Sequence, residues 1–298
     1  MCQWTETCCH TSQIVSAASS EDHSAVSVGA PLNCGQSYPE GLYEQEQVAD
    51  NQAQPHEFPW IVALYERRKF LGGGSLLTEN CVLTSAHLLV NKTRDSLFVK
   101  AGAWDLTETN SRYVERRKVA RIVLHSESDL ALIVLEVSFL AKRHIGFICQ
   151  PSPAATFDHQ NCLVSGWGKL THMDRHLSRR LKRVVNRVTC QARLRRTRLG
   201  RRFELHTSLI CAGGERNRNT CQGFGGSPLM CPIAGHPMQY VLVGIVNSGL
   251  GCGSPNVPSL YTSVAEMMPW IHNLLNDEIN VPYRPFPIYK IGIKKKLG

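Results

Sequence analysis

The run CQGFGGSPLMC, residues 221–231, holds residue types from which hydroxyl chemistry is built. One hydroxyl, Ser227, stands beside three glycines, and two cysteines bound the run. A hydroxyl becomes a nucleophile only when an imidazole takes its proton and N–H donors face the oxyanion that forms. Glycine-rich backbone can supply such donors. A histidine in LTSAHLL, His87, and an aspartate in SDLALIVLE, Asp129, are the types that could complete such a set. Each is a modest signal alone, because a single histidine in an apolar run is more often packed than catalytic.

The elements that must position these residues are short. WIVALYE, GSLLT, LFVKAG, ARIVLH, LALIVLE, NCLVSGWG, SPLMCPI, YVLVGIV and SLYTSV recur between turn signals. One convincing helix lies near Ala265 to Asn276. Many short strands with glycine-rich turns predict an all-β barrel or sandwich. Residues 1–46 are polar and rich in small residues, and that composition builds no core of its own. Residues 47–277 carry the strands and the helix, and 278–298 form a basic, proline-containing tail expected to be extended.

Composition narrows the class. The 298 residues can bury a sizeable core, and 43% of them are hydrophobic. Twelve cysteines without paired C-x-x-C spacing predict disulfides in an oxidising compartment rather than a metal site. The start, MCQWTETCCHTSQ, lacks the basic and apolar regions of a secretory signal. No apolar run is long enough to cross a membrane. The net charge of +9 favours acidic partners or polyanions.

Read in order, the motifs resemble trypsin-like serine proteases over about residues 46–276. LTSAHLL resembles their LTAAHC, SDLALIVLE their DIALL strand, and CQGFGGSPLMC their CQGDSGGPLVC. NCLVSGWGK, SLICAGG, GIVNSGLGCG and PSLYTSV follow in the family order. The resemblance implies two six-stranded antiparallel β-barrels with a C-terminal helix, and it implies no cofactor or metal. It places His87 at the general base and Asp129 at the residue that orients it. EFPWIVAL, AGAWDLTE, the segment from LRRTRLGRRFELH to RNRNTC, and GGSPLMCP are similar to the clip-domain serine protease homologues of arthropods. That narrower likeness implies a non-catalytic role in innate immunity, often in prophenoloxidase activation. A clip module usually brings six cysteines; only Cys2, Cys8, Cys9 and Cys34 precede the barrels, so a complete one is not expected.

The resemblance also implies that the chemistry has been lost. Cys221 and Cys231 lie ten positions apart in both patterns, so no residue is inserted and the nucleophile position is Gly225. Gly223 and Gly225 hold the oxyanion-hole positions. Loss of such a nucleophile costs on the order of 10⁶ in rate. Ser227 lies two residues on, roughly 6 Å along the chain, and is expected to be a turn residue. Phe224 replaces the aspartate that receives a newly cut amino terminus, and Gln47 precedes Val48 where active members carry a tryptic junction. Asn219 stands at the base of the specificity pocket, and Asn247-Ser248-Gly249 forms its wall, without the acid an arginine side chain needs.

By the same resemblance Cys34 pairs with Cys149, Cys162 with Cys231, Cys190 with Cys211, and Cys221 with Cys252. The disulfide that flanks the histidine in the family is missing at both ends, Gly72 and Leu88. Cys2, Cys8, Cys9 and Cys81 have no assigned partner. Asn91-Lys92-Thr93 is a glycosylation sequon. From Arg175 to Arg202 there are twelve Lys or Arg and no acid. This predicts a docking surface for an acidic protein, an anionic polysaccharide or a microbial surface.

Three readings stand. The first is a secreted pseudoprotease that binds cascade proteases or their zymogens. The second is an active endopeptidase using Ser227, and the third is a polyanion-binding module.

Overall fold

A computed structural model describes residues 34–280 apart from 44–45, 109–110, 154, 159, 172, 188–190, 216–219, 250–251 and 253; side chains are described for all of these except 185–187, 249 and 277–280. Two six-stranded antiparallel units and one long helix make up the fold. The first unit comprises β1 (Ile61–Glu66), β2 (Lys69–Leu76), β3 (Cys81–Thr84), β4 (Leu97–Ala101), β5 (Glu115–Leu124) and β6 (Ala131–Leu135). It closes in the order β1-β2-β3-β6-β5-β4, with β4 returning to β1. The second comprises β7 (Asn161–Gly166), β8 (Lys182–Arg187), β9 (Leu209–Ala212), β10 (Pro228–Ile233), β11 (His236–Gly249) and β12 (Ser259–Ser263). Its order is β8-β7-β10-β11-β12-β9.

Strand periodicity explains why the apolar runs are continuous rather than alternating. Successive side chains of β1 point to opposite faces. Val62 and Leu64 fill the first barrel beside Leu76, Val82, Val99 and Ile133. Ile61, Ala63 and Tyr65 face the core shared with Leu163, Met230 and Leu242 of the second unit. Both faces are dry, so neither takes polar residues. A third cluster, with Val164, Leu229, Val243 and Tyr261, packs the second unit. Trp104 and Trp167 join the halves: the Trp167 indole donates to the Trp104 carbonyl at 2.9 Å, and the Trp104 indole donates to Ala53 O at 2.8 Å.

The helix expected near 265–276 runs from Val264 to Asn280 and is here α2, after the four-residue α1 (Gln191–Leu194). Ser263 Oγ accepts the Glu266 N–H at 3.4 Å, a cap that sets the start one residue earlier. Val264, Met267, Met268 and Ile271 recur at helical spacing and are buried in the shared core.

Candidate functional site

The first barrel supplies one half of the site. β3 and β6 are paired with Thr84 opposite Ala131. The chain leaves β3 into a single 3-10 turn, Ala86–Leu88, and enters β6 just after Asp129. The ladder therefore sets His87 beside Asp129. Asp129 Oδ2 lies 2.7 Å from His87 Nδ1, and its Oδ1 accepts the His87 backbone N–H at 2.8 Å. Thr262 of β12 donates its hydroxyl to the Asp129 carbonyl at 3.0 Å, tying the pair to the second unit. The imidazole remains 43% exposed and the carboxylate 18%.

The second unit supplies the backbone that faces this pair. Gly225 faces the imidazole: a β-carbon at this residue would stand 2.8 Å from His87 Nε2 and 3.2 Å from Cε1. The histidine thus sits closer to this backbone than a residue with a side chain would permit. The loop is pinned from below by Gly73 N–H donating to Gly225 O at 2.9 Å and by Gly226 N–H donating to Val246 O at 3.1 Å. Gly226 has φ +76°, and a β-carbon there would lie 2.3 Å from Gly73 O, so only glycine fits.

Ser227 is fully buried. Its Oγ would lie 2.3 Å from a β-carbon on Gly166 and 2.5 Å from one on Gly73. It therefore rests in a slot that those two glycines open. No hydrogen-bond partner reaches this hydroxyl among the described residues. Phe224 is equally buried and belongs to the core cluster of the second unit. Its ring lies against Gly168, where an added β-carbon would meet Cδ2 at 2.1 Å, and beside Gly166, where one would meet Cδ1 at 2.9 Å. A carboxylate in that cavity would be desolvated, whereas the phenyl ring contributes about 2–3 kcal/mol by its burial.

Leu88 and Gly72, the two ends without the expected cysteines, are matched in shape. A β-carbon on Gly72 would meet Leu88 Cδ1 at 2.7 Å. The same leucine side chain lies 3.3 Å from the β-carbon position of Gly225 and 3.1 Å from that of Gly226. One leucine on a floor of three glycines thus fills the space beside Gly225. The sequence reading missed Ser85, whose Oγ donates to Val246 O at 2.6 Å and accepts Gly226 N–H at 3.1 Å. The signal was the serine of LTSAHLL where the family pattern carries alanine.

Of the remaining expected positions, Gly223 has φ +93° and a β-carbon there would meet Leu177 Cδ2 at 2.5 Å. Asn247 donates its side-chain amide to Thr262 Oγ1 at 3.4 Å, and Gly249 ends β11. Asn219 lies outside the described residues. The sulfurs of Cys34 and Cys149 are 2.06 Å apart, those of Cys162 and Cys231 1.97 Å, and those of Cys221 and Cys252 1.93 Å. Cys211 is disulfide-bonded, and Cys190 lies outside the described residues, as do Cys2, Cys8 and Cys9. Cys81 is a buried free thiol whose burial pushes its pKa up. Asn91 is exposed at φ +61°. Gln47 is exposed, and Val48 packs against the shared core. No group of three metal-ligating side chains occurs among the described residues.

Two neighbouring ionisable groups lie just before β1, and one of them, Glu57, ties the chain there to β8 of the second unit. Glu57 is buried, accepts Arg183 Nε at 2.9 Å and accepts the Gln54 N–H at 2.9 Å. Burial raises its pKa, and those two donors partly offset the rise. Next to it, burial and then the neighbouring His144 lower the pKa of His56 to about 4.

The first unit closes as a barrel, whereas the second, expected to be a barrel too, is a six-stranded antiparallel sheet whose end strands β8 and β9 are not paired with each other. With the His–Asp pair at their seam, the two units define a trypsin-like protease scaffold. The trypsin family model matches residues 47–271, and the chain belongs to the trypsin family. It is similar to the inactive CLIP domain-containing serine protease A8 of Anopheles gambiae, with 36% identity over 295 residues, 91% of this chain and 78% of that one. Phenoloxidase-activating factor 2 of Galleria mellonella is 38% identical over 253 residues, 74% of this chain and 82% of its own length. The inactive CLIP domain-containing serine protease A28 of Anopheles gambiae is 33% identical over 263 residues, 83% and 69% of the two chains.

Proposed function

We propose that this chain is a secreted, catalytically inactive serine protease homologue that binds proteins of an extracellular proteolytic cascade as a cofactor or regulator. The cascade we assign is prophenoloxidase activation, and the partners are its proteases or their zymogen substrates. One observation carries the loss of catalysis: His87 faces Gly225, which offers no hydroxyl. Acyl transfer has no nucleophile there.

Other features support the same reading. Phe224 occupies a sealed apolar cavity and cannot accept the ammonium that a cut amino terminus would bring. The chain at Gln47-Val48 carries no basic residue for a tryptic cut. Ser227, the only hydroxyl of the loop, is buried between glycines. The names of the relatives, inactive proteases and a phenoloxidase-activating factor, support an inactive homologue and the choice of cascade. Disulfides fit an oxidising, extracellular compartment, where the exposed Asn91 sequon would take a glycan.

The test is a reconstituted activation assay: prophenoloxidase and its activating protease, with and without this protein. The reading expects phenoloxidase activity to rise, with no peptide hydrolysis by this protein alone. Suppression would recast it as a decoy for the protease or its substrate. No change in either direction would remove the melanisation assignment.

A further inference from the structure

The basic side chains from Arg175 to Arg202 have different surroundings: Arg175 and Arg179 are exposed ahead of β8, and the Arg187 side chain lies outside the described residues. Several of the others are engaged in the fold. Arg180 stacks over Trp104 at 4.6 Å, Arg183 pairs with Glu57, and Lys182 donates to Asn51 Oδ1 at 3.1 Å. Arg193 donates to Gly213 O, and Arg195 donates to Phe203 O, each at 2.9 Å. Arg196, Arg198, Arg201 and Arg202 are different. All four are exposed, and none has an ion pair or side-chain hydrogen bond to a described residue.

These four project from one folded knob, not from a loose loop. Leu194 at the end of α1 is fully buried and anchors it. The turns that follow are closed by backbone donors: Thr197 to Leu194, Gly200 to Thr197 and Phe203 to Gly200, at 3.0–3.1 Å. The Thr197 hydroxyl donates to Leu194 O at 2.6 Å, and Gln191 Oε1 accepts the Leu205 N–H at 3.1 Å. A knob already ordered loses little chain entropy on binding.

We propose that this knob binds a linear sulfated polysaccharide through Arg196, Arg198, Arg201 and Arg202. Planar guanidinium forks match the oxygens of sulfate, and binding a dense polyanion gains from the release of its counterions. The surface lacks what a protein partner would require at its centre. The exposed large hydrophobics of the described residues are Tyr43, Val137, Leu140, Met173 and Met238, and none lies in residues 191–206. Protein interfaces take their affinity from buried aromatic and apolar anchors. The choice of a sulfated sugar over a nucleic acid rests on the extracellular reading given above. The arginine assignment does not.

Heparin retention tests it. The fourfold change Arg196→Ser, Arg198→Ser, Arg201→Ser and Arg202→Ser is compared with a charge-matched control, Arg68→Ser, Lys69→Ser, Lys118→Ser and Arg143→Ser, in the full chain. The knob variant should bind heparin at least tenfold more weakly near physiological salt. Its slope of log affinity against log salt should be shallower by about 3 to 4, while the control keeps most of both. Equal losses in the two variants would reduce the effect to net charge and overturn the proposal. Competition by polyglutamate as strong as by heparin would overturn the sulfate assignment. Thermal melting of both variants shows that neither result comes from unfolding. Binding is read without any cascade component, so its failure is separate from failure of the cofactor reading.

Discussion

The two halves of the site have parted ways. On the first barrel, His87 and Asp129 keep both hydrogen bonds, and the aspartate carbonyl is still held by Thr262. On the second, the loop from Gly223 to Ser227 is held by backbone bonds, Gly225 presents no side chain to the imidazole, and Phe224 and Ser227 are fully buried. The difference shows which parts of a catalytic site are also structural. The acid–base pair links β3, β6 and β12, so its loss would disturb the seam. On the facing loop, Leu88 and the imidazole lie against Gly225, and Phe224 is packed into the core of the second unit.

The sharpest way to break this contrast is to restore the missing acid. Phe224→Asp should destabilise the protein by about 4 kcal/mol or more, because an unpaired carboxylate would replace a ring in a dry cavity. Urea unfolding reads this directly. Survival of Phe224→Asp with unchanged stability would mean that the cavity admits water. Gly225→Ser should cost about 1–3 kcal/mol by crowding His87 and should restore no amidase activity. Combining it with His87→Ala should recover most of that loss, and a double-mutant cycle measures the recovery.

Acidification should separate the regions by another route. His56, beside Tyr113, Tyr43 and His144, resists protonation in the fold but not in the unfolded chain. Its contribution is present at pH 7 and is lost as pH falls from 6.5 to about 4. His56→Asn, which tolerates the positive φ of this position, should flatten that fall in melting temperature. Glu57 acts in the opposite sense: its raised pKa makes stability fall as pH rises out of the carboxylate range. The smallest effect is expected at Ser227→Ala. It removes a buried hydroxyl that has no partner, so stability should hold or rise by about 1 kcal/mol.

Much of the fold was legible in the chain because it is written in motif order and register. The order of motifs implied two six-stranded antiparallel units and a C-terminal helix, and the structure has them, with only the first unit closed. The sequence was silent where meaning depends on contacts. The run LKRVVNR is basic, yet from Lys182 to Arg187 it is the strand β8 paired with β7, with Leu181 and Val184 buried and Lys182 and Arg183 bonded to Asn51 and Glu57. Charge counting could not tell such arginines from the four on the knob. Nor could it reveal Ser85, or that Gly73 and Gly166 open a slot for Ser227, because both facts join residues far apart in the chain.

The most direct test of catalytic loss is covalent labelling. The purified protein is treated with a fluorophosphonate that phosphonylates activated serines, and the intact mass is read. The account predicts no adduct on the natural chain, under conditions that label an active trypsin completely. An adduct on the natural protein that maps to Ser227 and disappears in Ser227→Ala would contradict it.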